Sequence, residues 1–365
     1  MDHPTRVVRE DPERAGLLYA GTEFGIFVSF DNGSRWQRLQ QNLPATPVTD
    51  IRVHRGDLVI ATMGRSFWIM DDISPLRQMA AANQLTLLRP SSRIRYRRAA
   101  GGRGAAPQYP PVALAIDYVV PEGFTGPLTL TIADAQGRLV RSVNSTSAGR
   151  RGEGPGAAAP DAPADPDMAP SAGRGRGAAA PLTTRAGHNR YLWDYRWSNN
   201  GPLVAPGKYV ASLAAPGGAA APQLSGEFEV EVDPGVLRDG ITVTDLADQQ
   251  TFLLRVRDAI ADATRLREQA QQAMQKADIQ PARSPGPGQS INNIEYSHPL
   301  QRIWARLVTA PGIYEQGMLI DQLANIARAE GGADQKVGAE SRRRLDDLLA
   351  EMKAIEVELK KVESK

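Results

Sequence analysis

The sequence predicts a multidomain chain, β-rich as far as residue 233 and helical from Thr244 onward. Three observations predict it. Short runs of alternating apolar and polar residues, punctuated by Gly, Pro, Asn and Asp, fill the first part. One such run returns in degenerate form 41 residues later. Past Thr244 the apolar spacing lengthens from two residues to three and four, the period of an amphipathic helix.

At 365 residues the chain is long enough for two or three domains, each with its own core. Its 43 Lys and Arg against 41 Asp and Glu leave a formal charge of +2, without the basic excess of a dedicated nucleic-acid binder. There is no cysteine, which excludes disulfides, thiolate metal sites and Cys nucleophiles. That absence fits a cytosolic protein, and equally an exported bacterial one. No apolar run approaches the roughly 20 residues of a membrane helix. The opening MDHPTRVVREDPERAG lacks the apolar segment of a signal peptide, so any such peptide is expected upstream.

Residues 17–31, LLYAGTEFGIFVSFD, read as two short strands around a Glu-Phe-Gly turn. Further strands are expected at Thr49–Val53, Leu58–Thr62 and Ser66–Met70, with a turn at Arg55-Gly56-Asp57. A shift of 41 residues lays Ala20 on Ala61, Phe27 on Trp68, Val28 on Ile69 and Asp31 on Asp72. A period of about 40–45 residues built from short strands is that of a β-propeller blade. Ser29–Trp36 (SFDNGSRW) adds an independent sign, the pattern Ser/Thr-x-Asp-x-Gly-x-x-Trp with Ser29, Asp31, Gly33 and Trp36 in place. The physics of that pattern is a turn: a carboxylate accepting from its own loop, a Gly at positive φ, and a Trp folded over the top.

The run from Asp11 to Asp72 resembles the Asp-box (BNR) propeller superfamily. Within it, the closer likeness is to the C-terminal blades of large exported bacterial proteins with sortilin-like propellers. The resemblance covers residues 9–78 and implies two terminal blades, an extracellular or periplasmic protein, and a glycan or protein ligand. Two blades do not close a propeller. The remaining blades are therefore expected elsewhere, in cis or in trans, and residues 9–78 are not expected to fold stably without them. Glu23, in an inter-strand turn, is the candidate ligand-binding residue. Asp71 and Asp72 close the second, degenerate turn.

Residues 79–111 read as a linker. Strand alternation returns at 112–120 and at 128–144, the latter a hairpin through Asp134-Ala135-Gln136-Gly137. A tract rich in Ala, Pro, Gly and Arg at 148–182 interrupts it, followed by strands at 189–197, 206–215 and 225–233. The segments from 128 onward resemble the Ig-like domain of flagellar hook-capping proteins. The likeness rests on Asp134, Gly137, Arg138 and Val140, then Trp193-Asp194, then Ala205-Pro206-Gly207-Lys208-Tyr209. It implies an Ig-like β-sandwich over 112–233 with Trp193 and Tyr209 in its core, and a spacer or adhesion role. The Arg-Gly pairs at Arg151, Arg174 and Arg176 have no interleaved aromatic residue and are offset by Asp161, Asp165 and Asp167. The tract is expected to be a disordered surface loop of Ala, Pro and Gly and not a nucleic-acid site.

In the segment 244–277, Leu253, Val256, Ile260, Ala263, Ala270 and Met274 form one stripe, with Thr244 or Asp245 expected as the cap. The stretch 281–289 breaks this helix. A second helical region, interrupted at Pro311-Gly312, precedes a third at 338–363 with Leu345, Leu348, Met352, Ile355, Leu359 and Val362. Over 244–365 the pattern fits an antiparallel helical bundle, or else a coiled coil with a partner chain.

Chemistry is scarce. His3, His54, His188 and His298 show no metal-ligand spacing, and neither a nucleophile elbow nor a phosphate loop is present. No catalytic residue, metal or cofactor is expected from this chain. A glycosidase needs two carboxylates about 5–10 Å apart, and no such pair can be assigned. The sequence therefore points to a non-catalytic binding or assembly scaffold. The alternative is the end of a sialidase- or xyloglucanase-like glycoside hydrolase whose active site lies in other blades.

Overall fold

The computed structural model describes residues 3–79, 84–97, 112–146, 181–198, 201–215, 224–281, 295–309 and 317–363. The chain divides into two compact units. Met1–Ser92, Leu114–Trp193 and Lys208–Glu229 form the first; Arg93–Ala113, Asp194–Gly207 and Val230–Lys365 form the second.

The first unit begins with a four-stranded antiparallel sheet in the order β1 (Thr5–Glu10), β2 (Leu18–Thr22), β3 (Gly25–Ser29) and β4 (Gln37–Arg38). A three-stranded sheet follows, β5 (Val48–His54), β6 (Asp57–Thr62) and β7 (Phe67–Met70). The 41-residue repeat is visible in the fold, since β3 and β7 occupy third place in their sheets. Sequence alternation missed β1 because Val7 is the single buried residue of its six; its pairing with β2, Val8 opposite Ala20, places it. Leu17, Tyr19, Ile26, Ile51, Leu58 and Ile73 form a common core. Gly21 is required there, because a Cβ would stand 2.6 Å from Val48 Cγ1 and 2.7 Å from Val7 Cγ1. The buried Asp11 takes the Arg77 Nε at 3.0 Å and the Tyr19 hydroxyl at 3.3 Å. Burial, with the Asp11 charge beside it, pushes the Tyr19 phenol well above its ordinary pKa. Asp11 thereby ties the loop after β1 to α1 (Ser74–Gln78).

The rest of the first unit is two further sheets. In one, β10 (Leu114–Val120) lies between β13 (Gly187–Trp193) and β8 (Thr86–Leu87). In the other, the order β12 (Leu139–Asn144), β11 (Thr129–Asp134), β14 (Gly207–Ala214), β15 (Leu224–Val232) is maintained. The sheets meet through Trp193, which is fully buried and lies edge-on to Tyr209 and Phe228 at centroid distances of 5.7 and 6.1 Å. The β11–β12 turn is held by Asp134, whose carboxylate accepts the Gln136 and Arg138 N–H groups and the Arg138 Nε. The stretch 79–111 is not all linker: it supplies β8 and β9 (Arg93–Arg95). Strands of two and three residues carry too little alternation to be read from sequence. The strand expected over 189–197 ends at Trp193, as Tyr195 takes a positive φ of 57°. The tract at 148–182 lies, up to residue 180, outside the described residues, as do Pro311-Gly312 and most of 281–289.

In the second unit the end of β15 pairs in parallel with β9, Val230 opposite Arg93. Asp233 then caps α2 (Pro234–Arg238) by accepting from the Gly235 N–H. The long helix α3 (Val243–Lys276) is capped two residues before Thr244, the first of the two expected caps. Its N-cap is Thr242, which accepts from the Asp245 N–H while Asp245 returns a bond to the Thr242 N–H. A reciprocal capping box satisfies two donors at once, which Thr244 could not do. The helices α4 (Pro299–Leu307), α5 (Leu319–Gly331) and α6 (Ala339–Glu363) complete the unit. Gln301 on α4 reaches the Gln280 carbonyl, Gln249 on α3 reaches the Glu330 carbonyl, and Arg342 on α6 pairs with Asp248. The chain thus runs along α3, back through α4 and α5, and forward again along α6. The stripe residues Val256, Ala263, Leu345, Leu348, Ile355 and Leu359 are buried together in this core.

Candidate functional site

The Ser29–Trp36 turn is built from its own side chains. The Ser29 hydroxyl donates to Asp31 Oδ1 at 2.9 Å and accepts from the Gly33 N–H at 2.9 Å. Asp31 Oδ1 also accepts from the Arg35 N–H at 2.8 Å. Asn32 and Gly33 sit at positive φ, 56° and 87°, and the Trp36 ring lies against Gly33. The Arg35 N–H, helped by the Ser29 hydroxyl, holds the Asp31 carboxyl below its ordinary pKa. That carboxylate is ionised, exposed and committed to its turn. Asp72 is committed likewise: it accepts from the Ser74 N–H and from the Ser91 hydroxyl at 3.0 Å. Glu23 pairs with Arg6 at 2.6 Å beside the His3–Phe24 ring contact.

A different set of residues converges on β10 and β13. Asp117 stands directly opposite Arg190. Its Oδ1 takes the His188 Nε2 and the Arg190 Nε, both at 2.8 Å, and its Oδ2 takes the Arg190 Nη2 at 3.1 Å. Burial opposes ionisation of Asp117, but the His188 and Arg190 hydrogen bonds outweigh it and hold the carboxyl below its ordinary pKa. Sequence reading passed over this centre. Asp117 is a lone polar residue in VALAIDYVV, and its partners lie 71 and 73 residues away.

Beside the centre is a cleft of about 490 Å³, in the size range of small-ligand sites. Trp68 and Met70 of β7 form one wall; His188 and Arg190 of β13, with Thr183 and Arg185 before them, form the other. Ile26, Leu58 and Ile60 give it an apolar floor, and the loop after β4 contributes Gln40, Gln41 and Asn42. Gln40 is fixed: its Nε2 donates to the Leu43 and Pro44 carbonyls at 2.6 and 3.0 Å. Its Oε1 is packed so close to Gly25 that a Cβ there would stand 1.8 Å away. Gly25, at φ 138°, is thus demanded by both backbone and space. Among the described residues that line the cleft, Asp71 carries the one carboxylate. Glu23 is not part of the lining.

Among the described residues no group of His, Asp and Glu is placed to hold a metal ion, and no helix is long and apolar enough to cross a membrane. Compared with protein families, with curated proteins and with solved structures, the chain matches none.

Proposed function

We propose that the chain is a non-catalytic binding or assembly scaffold, the terminal part of an exported bacterial Asp-box protein. In this reading β1–β4 and β5–β7 are its last two propeller blades, the sheets around Trp193 are an Ig-like sandwich, and α3–α6 are a helical tail. The ligand is a glycan held in the cleft beside β7 and β13. Fold alone does not decide function, and the observation that carries this reading is the make-up of the cleft. Planar amide and guanidinium groups on Gln41, Asn42 and Arg185 suit the paired hydroxyls of a sugar, and Trp68 suits its apolar face. Hydrolysis needs a second carboxylate about 5–10 Å from the first. Asp71 has no such companion in the lining, and Asp117 is spent on Arg190 and His188.

A printed array of bacterial and host glycans tests the proposal. The full chain is expected to retain a discrete set of glycans, and Trp68→Ala, whose wild-type ring is half-buried at the cleft wall, is expected to lose them. Retention that is equal in the two proteins would overturn the assignment of the cleft.

A further inference from the structure

Asn32-Gly33, at the tip of the Ser29–Trp36 turn, is a chemically labile pair. Gly has no side chain to shield its own nitrogen, so the amide of an Asn before it is open to attack from the backbone. The reaction needs only water. The Gly33 nitrogen gives up its proton and bonds to Asn32 Cγ; the Cγ–Nδ2 bond breaks, and ammonia leaves with that proton. Water then opens the five-membered imide at one of its two carbonyls, leaving aspartate or isoaspartate at position 32.

The group to be attacked is accessible. Asn32 is exposed. It donates its backbone N–H to the Gly16 carbonyl at 2.9 Å, and among the described residues no hydrogen bond ties its side-chain amide.

Two features of the turn hold the reaction off. The first is conformation. Asn32 sits at φ 56°, where the region open to an L-residue is the left-handed one, with ψ about +30 to +60°. The Gly33 nitrogen then stands anti to the Asn32 Cβ, whereas the imide ring requires the two to be eclipsed. The second feature is the proton that must leave. The Gly33 N–H donates it to Ser29 Oγ at 2.9 Å, and Ser29 is fully buried. The Asn32 bond to Gly16 and the Arg35 N–H bond to Asp31 Oδ1, at 2.8 Å, fix the chain on either side. Rotation of Asn32 to the eclipsed geometry therefore requires the turn to open.

We propose that Asn32 is a deamidation site gated by this turn, intact while the turn is closed and converted when it opens. The isoaspartate product adds one methylene to the backbone between Asp31 and Gly33. The Ser29–Gly33 and Asp31–Arg35 bonds then no longer fit together, so the modification makes opening of the turn irreversible. The step involves no ligand and is independent of the glycan reading.

The full chain, incubated at neutral pH with and without urea and then mapped by peptide mass spectrometry, tests the proposal. In urea, Asn32 and Asn200, the two Asn-Gly pairs of the sequence, are expected to deamidate at similar rates. Without urea, Asn32 is expected to react at least about tenfold more slowly than in urea, because only the open fraction reacts. Ser29→Ala, which releases the Gly33 N–H, is expected to raise that native rate about tenfold. Ser29→Thr keeps the hydroxyl and is expected to keep the slow rate. Equal Asn32 rates with and without urea would overturn the proposal, and this comparison holds even where Ser29→Ala does not fold. An unchanged rate in Ser29→Ala would overturn it as well.

Discussion

Asp117 and Arg190 face each other across β10 and β13, joined by two parallel hydrogen bonds of 2.8 and 3.1 Å from the guanidinium fork to the two carboxylate oxygens. The carboxylate side chain is 5% exposed and the guanidinium 36%. Removing the cation leaves a nearly buried charge with His188 as its remaining partner. Arg190→Ala is therefore expected to destabilise the first unit by about 2–4 kcal/mol, at the low end for a buried pair because Arg190 is partly hydrated. Urea denaturation followed by Trp fluorescence measures it.

The same pair sets an acid limb. The folded pKa of Asp117 lies below its ordinary value of about 3.9. Its contribution to stability is thus complete above roughly pH 4 and disappears as pH falls through the lowered folded value. Other carboxylates add to the total, so the informative quantity is the difference between wild type and Arg190→Ala. That difference is expected to be constant above the folded pKa of Asp117 in the variant, which burial raises once Arg190 is gone, and to shrink as pH falls from there towards the lowered wild-type value, as read from unfolding midpoints measured across that range.

Ser29 is fully buried and serves two partners in its turn, the Gly33 N–H and Asp31. Ser29→Ala is expected to cost about 1–3 kcal/mol, the penalty for leaving a sheltered polar group unmatched. Glycan retention by the folded fraction is expected to stay unchanged, because Ser29 does not line the cleft. Thermal unfolding and the glycan array together check both halves of this prediction.

The stripe on α6 is satisfied within its own chain, where Leu345, Leu348, Ile355 and Leu359 are buried with residues of α3, α4 and α5. A coiled coil with a partner would make the melting temperature rise with protein concentration. The helical transition is expected not to shift over a hundredfold range of concentration, while Ile355→Ala lowers it by about 2–5 kcal/mol of stability. Circular dichroism at 222 nm, at several concentrations, is the measurement.

Helices with long stripes were legible in the sequence because eleven buried positions along α3 repeat one period. Strands β11, β14 and β15 were legible because their buried residues alternate, and β10 because it is a nearly continuous apolar run; the Ser29–Trp36 turn was legible because its parts lie within eight residues. The strands that were missed had little pattern to give: β1 buries one residue, and β8 and β9 are two and three residues long. The cleft was not legible because its walls come from β7 and β13, more than a hundred residues apart. Glu23 attracted notice as a lone acid in a turn, yet Arg6 neutralises it and the cleft excludes it. The groups that do line the cleft, Gln41, Asn42, Arg185 and His188, are ordinary loop and strand residues until folding brings them together.

The central claim is that the cleft holds a glycan without cleaving it. Its most direct test incubates the full chain with an array-selected oligosaccharide, labelled at its reducing end, and separates the products by chromatography. The labelled chain is expected to be recovered at its original length after prolonged saturation. Shortened labelled products, formed by the wild type and absent with Asp71→Asn, would contradict it and make the cleft a hydrolase site.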